Sequence, residues 1–204
     1  PEHRPEYEKK VGNFTQIQRE DFLIGMMKVG FLKRLESSVH SFTLTLGRTL
    51  DKIKDLEDRI ERFRAYQADN PEIDLASIAP EDLDDEEMRD ALEVGKKLTF
   101  KMAHLDLEEW THALQGDLKQ LRTIHLDAKD IGPGRDAKIE ELKQLIRRKI
   151  EEPTSRKDGT PNRKMLVFTA FADTATYLYE NLIEWVRTDL RIHAALVTGS
   201  GQNK

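Results

Sequence analysis

Apolar positions recur at steps of three and four over residues 20–66: Phe42, Leu46, Leu50, Ile53, Ile60 and Phe63 fall on one stripe, with Leu56 on its flank. Lysine, arginine, aspartate and glutamate fill most of the remaining positions. This period predicts a long amphipathic helix, with Gly25 and Gly30 as places where it could break. A second stretch, residues 84–128, carries Leu98, Met102, Leu105, Trp110, Leu114, Leu118 and Leu121 at comparable steps and predicts a second long helix. Between them, residues 68–88 hold two prolines and an acidic cluster, and Pro80-Glu81-Asp82 suits a helix start because carboxylates favour its positive end. Two long helices joined by a polar linker predict a helical hairpin.

The pattern shortens afterwards. Residues 129–138 (KDIGPGRDAK) break the chain, and Ile139, Leu142, Leu145 and Ile146 predict a helix over 137–151 that ends before Pro153. Residues 151–164 (EEPTSRKDGTPNRK) read as a loop rich in charge, proline and glycine. The next run, KMLVFT at 164–169, is continuously apolar, as a strand covered on both faces would be. Asp173 then opens an amphipathic helix with Ala175, Leu178, Leu182 and Trp185 on one face, and IHAALVTG at 192–199 reads as a second strand. Strand, helix and strand at this spacing predict one right-handed βαβ unit.

Composition sharpens this picture. Of 204 residues, 38% are apolar and 35% charged, against roughly 45–50% and about 25% in ordinary globular chains. That balance suits solvent-bathed helices more than one deep core. The net charge of −5 gives no global attraction to nucleic acid, so any such contact needs a local basic patch. Cysteine is absent, which excludes disulfides and thiol nucleophiles and fits a cytoplasmic location. The longest apolar stretch, residues 22–32, is broken by Lys28 and falls short of the roughly 20 residues that span a bilayer. The proline start and the ending within a loop lead to the expectation that the chain is a piece of a larger protein.

Few motifs carry chemistry. The ending ALVTGSGQNK resembles the start of a phosphate-binding loop, but Gly199 and Gly201 lead to Gln202-Asn203-Lys204 without the Gly-Lys-Ser/Thr such a loop needs. A glycine-rich turn at a strand end is one alternative. A loop meeting a nucleic-acid backbone is the other, because strand ends of open α/β sheets are where ligands bind. His104, Glu108 and His112 stand four residues apart, and on one helix they span about 12 Å, too far for one ion. They read, with His125, as surface or packing histidines. Asp82 and Asp84 to Glu87 lack the alternation and central glycine of a calcium loop and read as a solvated helix start. Lys33 and Arg34 lie in LKRLESSVHSF (32–42), either as solvated charges on an amphipathic helix or as contacts with a partner.

Two stretches together resemble the bacterial branch of the Swi/Snf-type helicase-like ATPases of superfamily two. FLKRLESSVHSF (31–42) is similar to the segment joining the two RecA-like lobes of that family. RKMLVFTAFADTATYLYENL (163–182) is similar to the first strand and helix of the second lobe, and AALVTGS (194–200) to its next strand and loop. The resemblance implies an α/β chain: a long helical hairpin insertion, residues 1–130, followed by a partial RecA-like βαβ unit with parallel strands, residues 131–204. It implies an ATP-dependent helicase or translocase that acts on nucleic acid, double-stranded DNA in the first instance, and partners its first RecA-like lobe in cis. ATP and magnesium would belong to the intact protein. Here the Walker A lysine, the DExH acids and the arginine finger are missing, so no catalytic residue and no metal ligand is assigned, and the isolated chain should not hydrolyse ATP. The resemblance further implies backbone contacts at Thr169, Ala170, Thr198, Gly199 and Ser200, while Lys33 and Arg34 either touch nucleic acid or couple the lobes electrostatically. No membrane partner is expected. A dimer through the helices or an exposed strand edge is a further partner expectation, and a helical scaffold or coiled-coil interaction module is the rival reading.

Overall fold

The computed structural model describes Tyr7 and residues 16–78, 90–95 and 99–199. Five helices dominate the described residues: α1 (Gln16–Ser37), α2 (Val39–Asp69), α3 (Leu107–Lys129), α4 (Ala137–Glu151) and α5 (Ala172–Thr188). Two small antiparallel sheets accompany them, β1 (Glu93–Gly95) with β2 (Thr99–Lys101) and β3 (Thr154–Ser155) with β4 (Pro161–Asn162). The chain forms two compact units. One comprises Pro1–Lys28 and Leu46–Ile124, the other Val29–Thr45 and His125–Lys204.

The expected helix over 20–66 is broken at neither Gly25 nor Gly30 but at Ser38. Ser38 closes α1 by donating its amide to Arg34 O (3.0 Å), and its Oγ accepts from the Ser41 amide (3.0 Å), the arrangement of an N-cap. A serine cap serves the first turn of α2, and Ser38 is the single non-helical residue between the two helices.

In the first unit, Ile60 and Phe63 of α2 pack with Leu75, Ala91, Leu92, Met102 and Leu114, and Ile53, Leu56, Val94, Leu105 and Trp110 surround that cluster. Of the helix expected over 84–128, residues 90–92 are helical, a hairpin then interrupts it, and helix resumes at Leu107. Asp106 begins it, its Oδ1 accepting from the Glu109 amide (3.0 Å). Before it stands a hairpin, with Val94 opposite Phe100 and Gly95 opposite Thr99. Gly95 sits at φ 120°, a conformation open to glycine, and Thr99 and Phe100 favour the pleated surface. Arg59 ties the hairpin to α2, donating through Nε to Asp90 O (2.9 Å) and through a terminal nitrogen to Glu93 O (2.9 Å). The acidic cluster at 82–87 lies outside the described residues.

In the second unit, α4 and α5 bury Ile139, Tyr177, Leu182 and Val186, with Leu142, Ile146, Leu178, Trp185 and Ile192 around them. Both helices run over the expected residues. The loop expected at 151–164 contains β3 and β4, turned at Gly159 with φ 79°. The expected parallel strands differ: residues 164–169 and 192–198 carry no ladder, and no parallel pair occurs among the described residues. A strand apolar on both faces needs cover on both, and parallel pairing is weaker per residue than antiparallel. Here Leu166 is 82% and Phe168 89% exposed, so nothing supplies that cover among the described residues.

Candidate nucleic-acid interface

The two stretches singled out for their resemblance meet in the second unit. Arg34, in the last turn of α1, donates to Asp173 Oδ2 at 2.7 Å and to Ser41 Oγ at 3.1 Å. Its guanidinium carbon lies 4.2 Å from the centre of the Phe171 ring. Asp173 stands in the first turn of α5, where a carboxylate also meets the positive end of the helix. The ion pair keeps about a quarter of each side chain in water. Solvent screening then holds its strength to about 1 kcal/mol or less.

Beside it the chain places hydroxyls. Thr174 Oγ1 pairs with Ser37 Oγ at 2.8 Å and with Ser38 Oγ at 3.0 Å, and Ser38, Ser41 and Thr174 are all buried. A hydrogen bond of this kind contributes about 1 kcal/mol, but an orphaned partner in the interior costs about 1–3 kcal/mol. Lys138 reaches back to donate to Glu36 O near the end of α1.

One step further along α5, the Tyr177 hydroxyl donates to Asp136 Oδ2 at 3.1 Å, and the His40 ring stacks on Tyr177 at 4.5 Å between centroids. Asp136 is itself the N-cap of α4, accepting from the Lys138 and Ile139 amides. Burial, then the Asp136 charge and the hydrogen bond to it, push the Tyr177 hydroxyl up to about 12.

The residues proposed for backbone contact fare unequally. Lys33 is exposed, whereas Arg34 is held by Asp173, Ser41 and Phe171. The Thr169 hydroxyl donates to Phe171 O (2.9 Å) and accepts from the Phe171 amide (3.0 Å), a turn that sets the entry to α5. Ala170 and Gly199 are exposed, and Thr198 is half-buried. Ser200 lies outside the described residues. Ser37, Ser38, Asp173 and Thr174 did not stand out from the sequence as a set. The serine spacing Ser38-x-x-Ser41 and an acid in the first turn of α5 are the signals that could have found them.

His104 belongs not to α3 but to a short 3-10 turn before it, and its Nδ1 lies 2.7 Å from the Tyr7 hydroxyl. Among the described residues no group of histidines and carboxylates is placed to hold a metal ion. None of the described helices is long and apolar enough to cross a membrane. Comparison with family models, with curated proteins and with solved structures found no significant match to this chain.

Proposed function

We propose that the chain is part of an ATP-dependent translocase on duplex nucleic acid, supplying the segment that joins two motor lobes and the first strand and helix of the second. The observation that carries this reading is the docking of Arg34, Ser37 and Ser38 on Asp173 and Thr174. Ser37 and Thr174 are 137 positions apart, yet the two stretches that resemble the motor family fold into one unit. A joining segment bonded to the base of α5 would transmit a shift of one lobe to the start of the other. The apolar run at 165–168 gives further support, since a RecA-like parallel sheet would cover it on both faces.

The residues present do not fit an ATP and magnesium site. The sequence has no Walker A lysine and no DExH pair, so binding and hydrolysis of nucleotide would fall to residues beyond this chain. Lys33, Ala170, Thr198 and Gly199 remain candidates for contact with the track. A cytoplasmic location goes with this reading. The cheapest test is the flanking gene sequence: GKT and DExH motifs before this stretch and a Gln-x-x-Gly-Arg motif after it are expected. Hydrolysis of ATP by the full-length protein should rise on adding duplex DNA. Absence of the motifs together with no stimulated hydrolysis overturns the reading.

One observation favours a second reading, a helical interaction module. Phe22, Met26, Met27 and Leu32 of α1 are each more than half exposed. A helix apolar on so many sides is usually enclosed by other elements. Light scattering decides it: a stable dimer or higher oligomer of the chain supports the module, and a monomer at all concentrations counts against it.

A further inference from the structure

The chain carries a net negative charge, yet residues 147–164 hold seven basic residues against three acidic ones, Glu151, Glu152 and Asp158. The structure gathers this charge at the β3–β4 hairpin and the last turn of α4. Register pairs Thr154 with Asn162 and Ser155 with Pro161, and the Arg156 amide donates to Thr160 O at 2.8 Å, so Arg156 and Lys157 stand at the turn. Lys149 of α4 donates to Thr154 Oγ1 at 2.7 Å, and Arg163 Nε donates to Ile150 O at 3.2 Å. These two bonds tie the hairpin back to the end of α4, next to the basic residues of that last turn.

Arg148, Arg156, Lys157 and Lys164 are exposed, and none of them has an ion-pair partner among the described residues. Asp158 accepts at Oδ1 from the Thr160 hydroxyl and amide, at 2.6 and 2.9 Å. This holds its carboxyl below the usual range and keeps it charged, so the stretch has a cationic excess of four. Between Pro153 and Arg163 there is no large apolar side chain, only hydroxyls, an amide, proline, glycine and charge.

We infer that the β3–β4 hairpin is a contact site for the phosphate backbone of duplex DNA, with Arg156, Lys157 and Lys164 as its cationic contacts. Exposed cations with neighbouring hydroxyls suit sequence-independent phosphate binding, which positions a protein on a duplex without reading bases. A membrane surface would take the same charge but binds through a buried apolar face as well, which the hairpin itself lacks. The inference shares its ligand with the proposed motor and rests on that reading for the role of the contact, but not for its existence.

The test is fluorescence anisotropy of the 204-residue chain with a labelled duplex of about 20 base pairs and no nucleotide, over roughly 50–200 mM salt, where each phosphate contact steepens the logarithmic salt slope by about 0.9. Across that range one contact is equivalent to about a 3.5-fold loss of affinity. The triple variant Arg156→Ala, Lys157→Ala, Lys164→Ala is expected to lower the slope by up to about 2.7, while Lys52→Ala with Lys54→Ala on α2 leaves it unchanged. Arg156→Lys should restore its share of the slope. Circular dichroism confirms that each variant folds. An unchanged slope in the triple variant, no salt-dependent binding by the parent chain, or binding to phosphatidylserine vesicles but not to the duplex overturns the inference. If full-length protein hydrolyses ATP on DNA while the triple variant binds normally, only the hairpin assignment fails. Binding lost in the variant without any stimulated ATP hydrolysis leaves the hairpin standing and removes the motor.

Discussion

Arg34 shows how one side chain can be chosen for its shape as well as its charge. Its planar guanidinium bonds Asp173 and Ser41 and covers the face of Phe171. A lysine could keep the charge but not the fork and the stacked plane together. A double-mutant cycle of Arg34→Ala with Asp173→Ala, read by urea denaturation, is expected to return a coupling below about 1 kcal/mol because the pair is partly solvated. Arg34→Lys should recover only part of the stability lost in Arg34→Ala. Tyr177 provides the matching pH dependence. Below about pH 10 the hydroxyl keeps its proton in the folded and the unfolded chain alike, and its ionisation leaves stability unchanged. Between the ordinary value of 10.0 and about 12 the unfolded chain releases the proton while the folded chain holds it, so stability falls as pH rises. Ultraviolet titration should show a late tyrosine ionisation that Tyr177→Phe abolishes.

At the scale of elements, α4 and α5 were legible because their apolar faces recur at helical steps, and in α4 the capping residue agrees with that pattern. Asp136 is the example: it caps α4 and also receives the Tyr177 hydroxyl. Asp136→Ala should therefore cost about 1 kcal/mol for the cap and about 1–3 kcal/mol for the stranded hydroxyl. Asp136→Asn keeps one oxygen to cap α4 but puts an NH2 where Oδ2 accepted from Tyr177. In thermal denaturation it should recover the cap and only part of the remainder, with the Tyr177 hydroxyl turned to accept. It should also move the Tyr177 ionisation back toward the ordinary tyrosine range, since the charge that helps raise it is gone.

Other elements were less readable. Met102 and Leu105 fit a helical period, and only the cap at Asp106 and the glycine conformation at Gly95 show why the helix is interrupted before Leu107. The break at Ser38 rests on a hydroxyl that caps α2 through Ser41 and also meets Thr174, remote in sequence, so the Ser38-x-x-Ser41 spacing was its one local signal. The docking of 34–41 on 171–174 was open in the same way, because Arg34 looked equally suited to a solvated face.

For the molecule as a whole, two units with separate apolar clusters agree with a composition rich in charge and modest in apolar residues. That composition leaves surface uncovered, most clearly at Leu166 and Phe168. Such a run is a template for association with another chain. Leu166→Lys with Phe168→Lys is expected to raise the concentration at which light scattering reports association. The melting temperature should stay nearly unchanged, because substitutions at exposed positions usually alter stability by no more than about 0.5 kcal/mol. A marked loss of stability would show that these side chains are packed.

The pairing of Ser37 with Thr174 also sets a schedule for biosynthesis. At about 5–20 residues per second, the ribosome needs roughly 7–27 s to make the 137 residues that separate the two hydroxyls. Throughout that interval Arg34, Ser37 and Ser38 have emerged without the partners that hold them in the finished protein. The first unit can close its cluster as soon as Leu114 has been made, whereas the second waits for α5. A nascent chain halted before residue 171 should thus protect Phe63 from solvent while leaving the serines around residue 38 open to it.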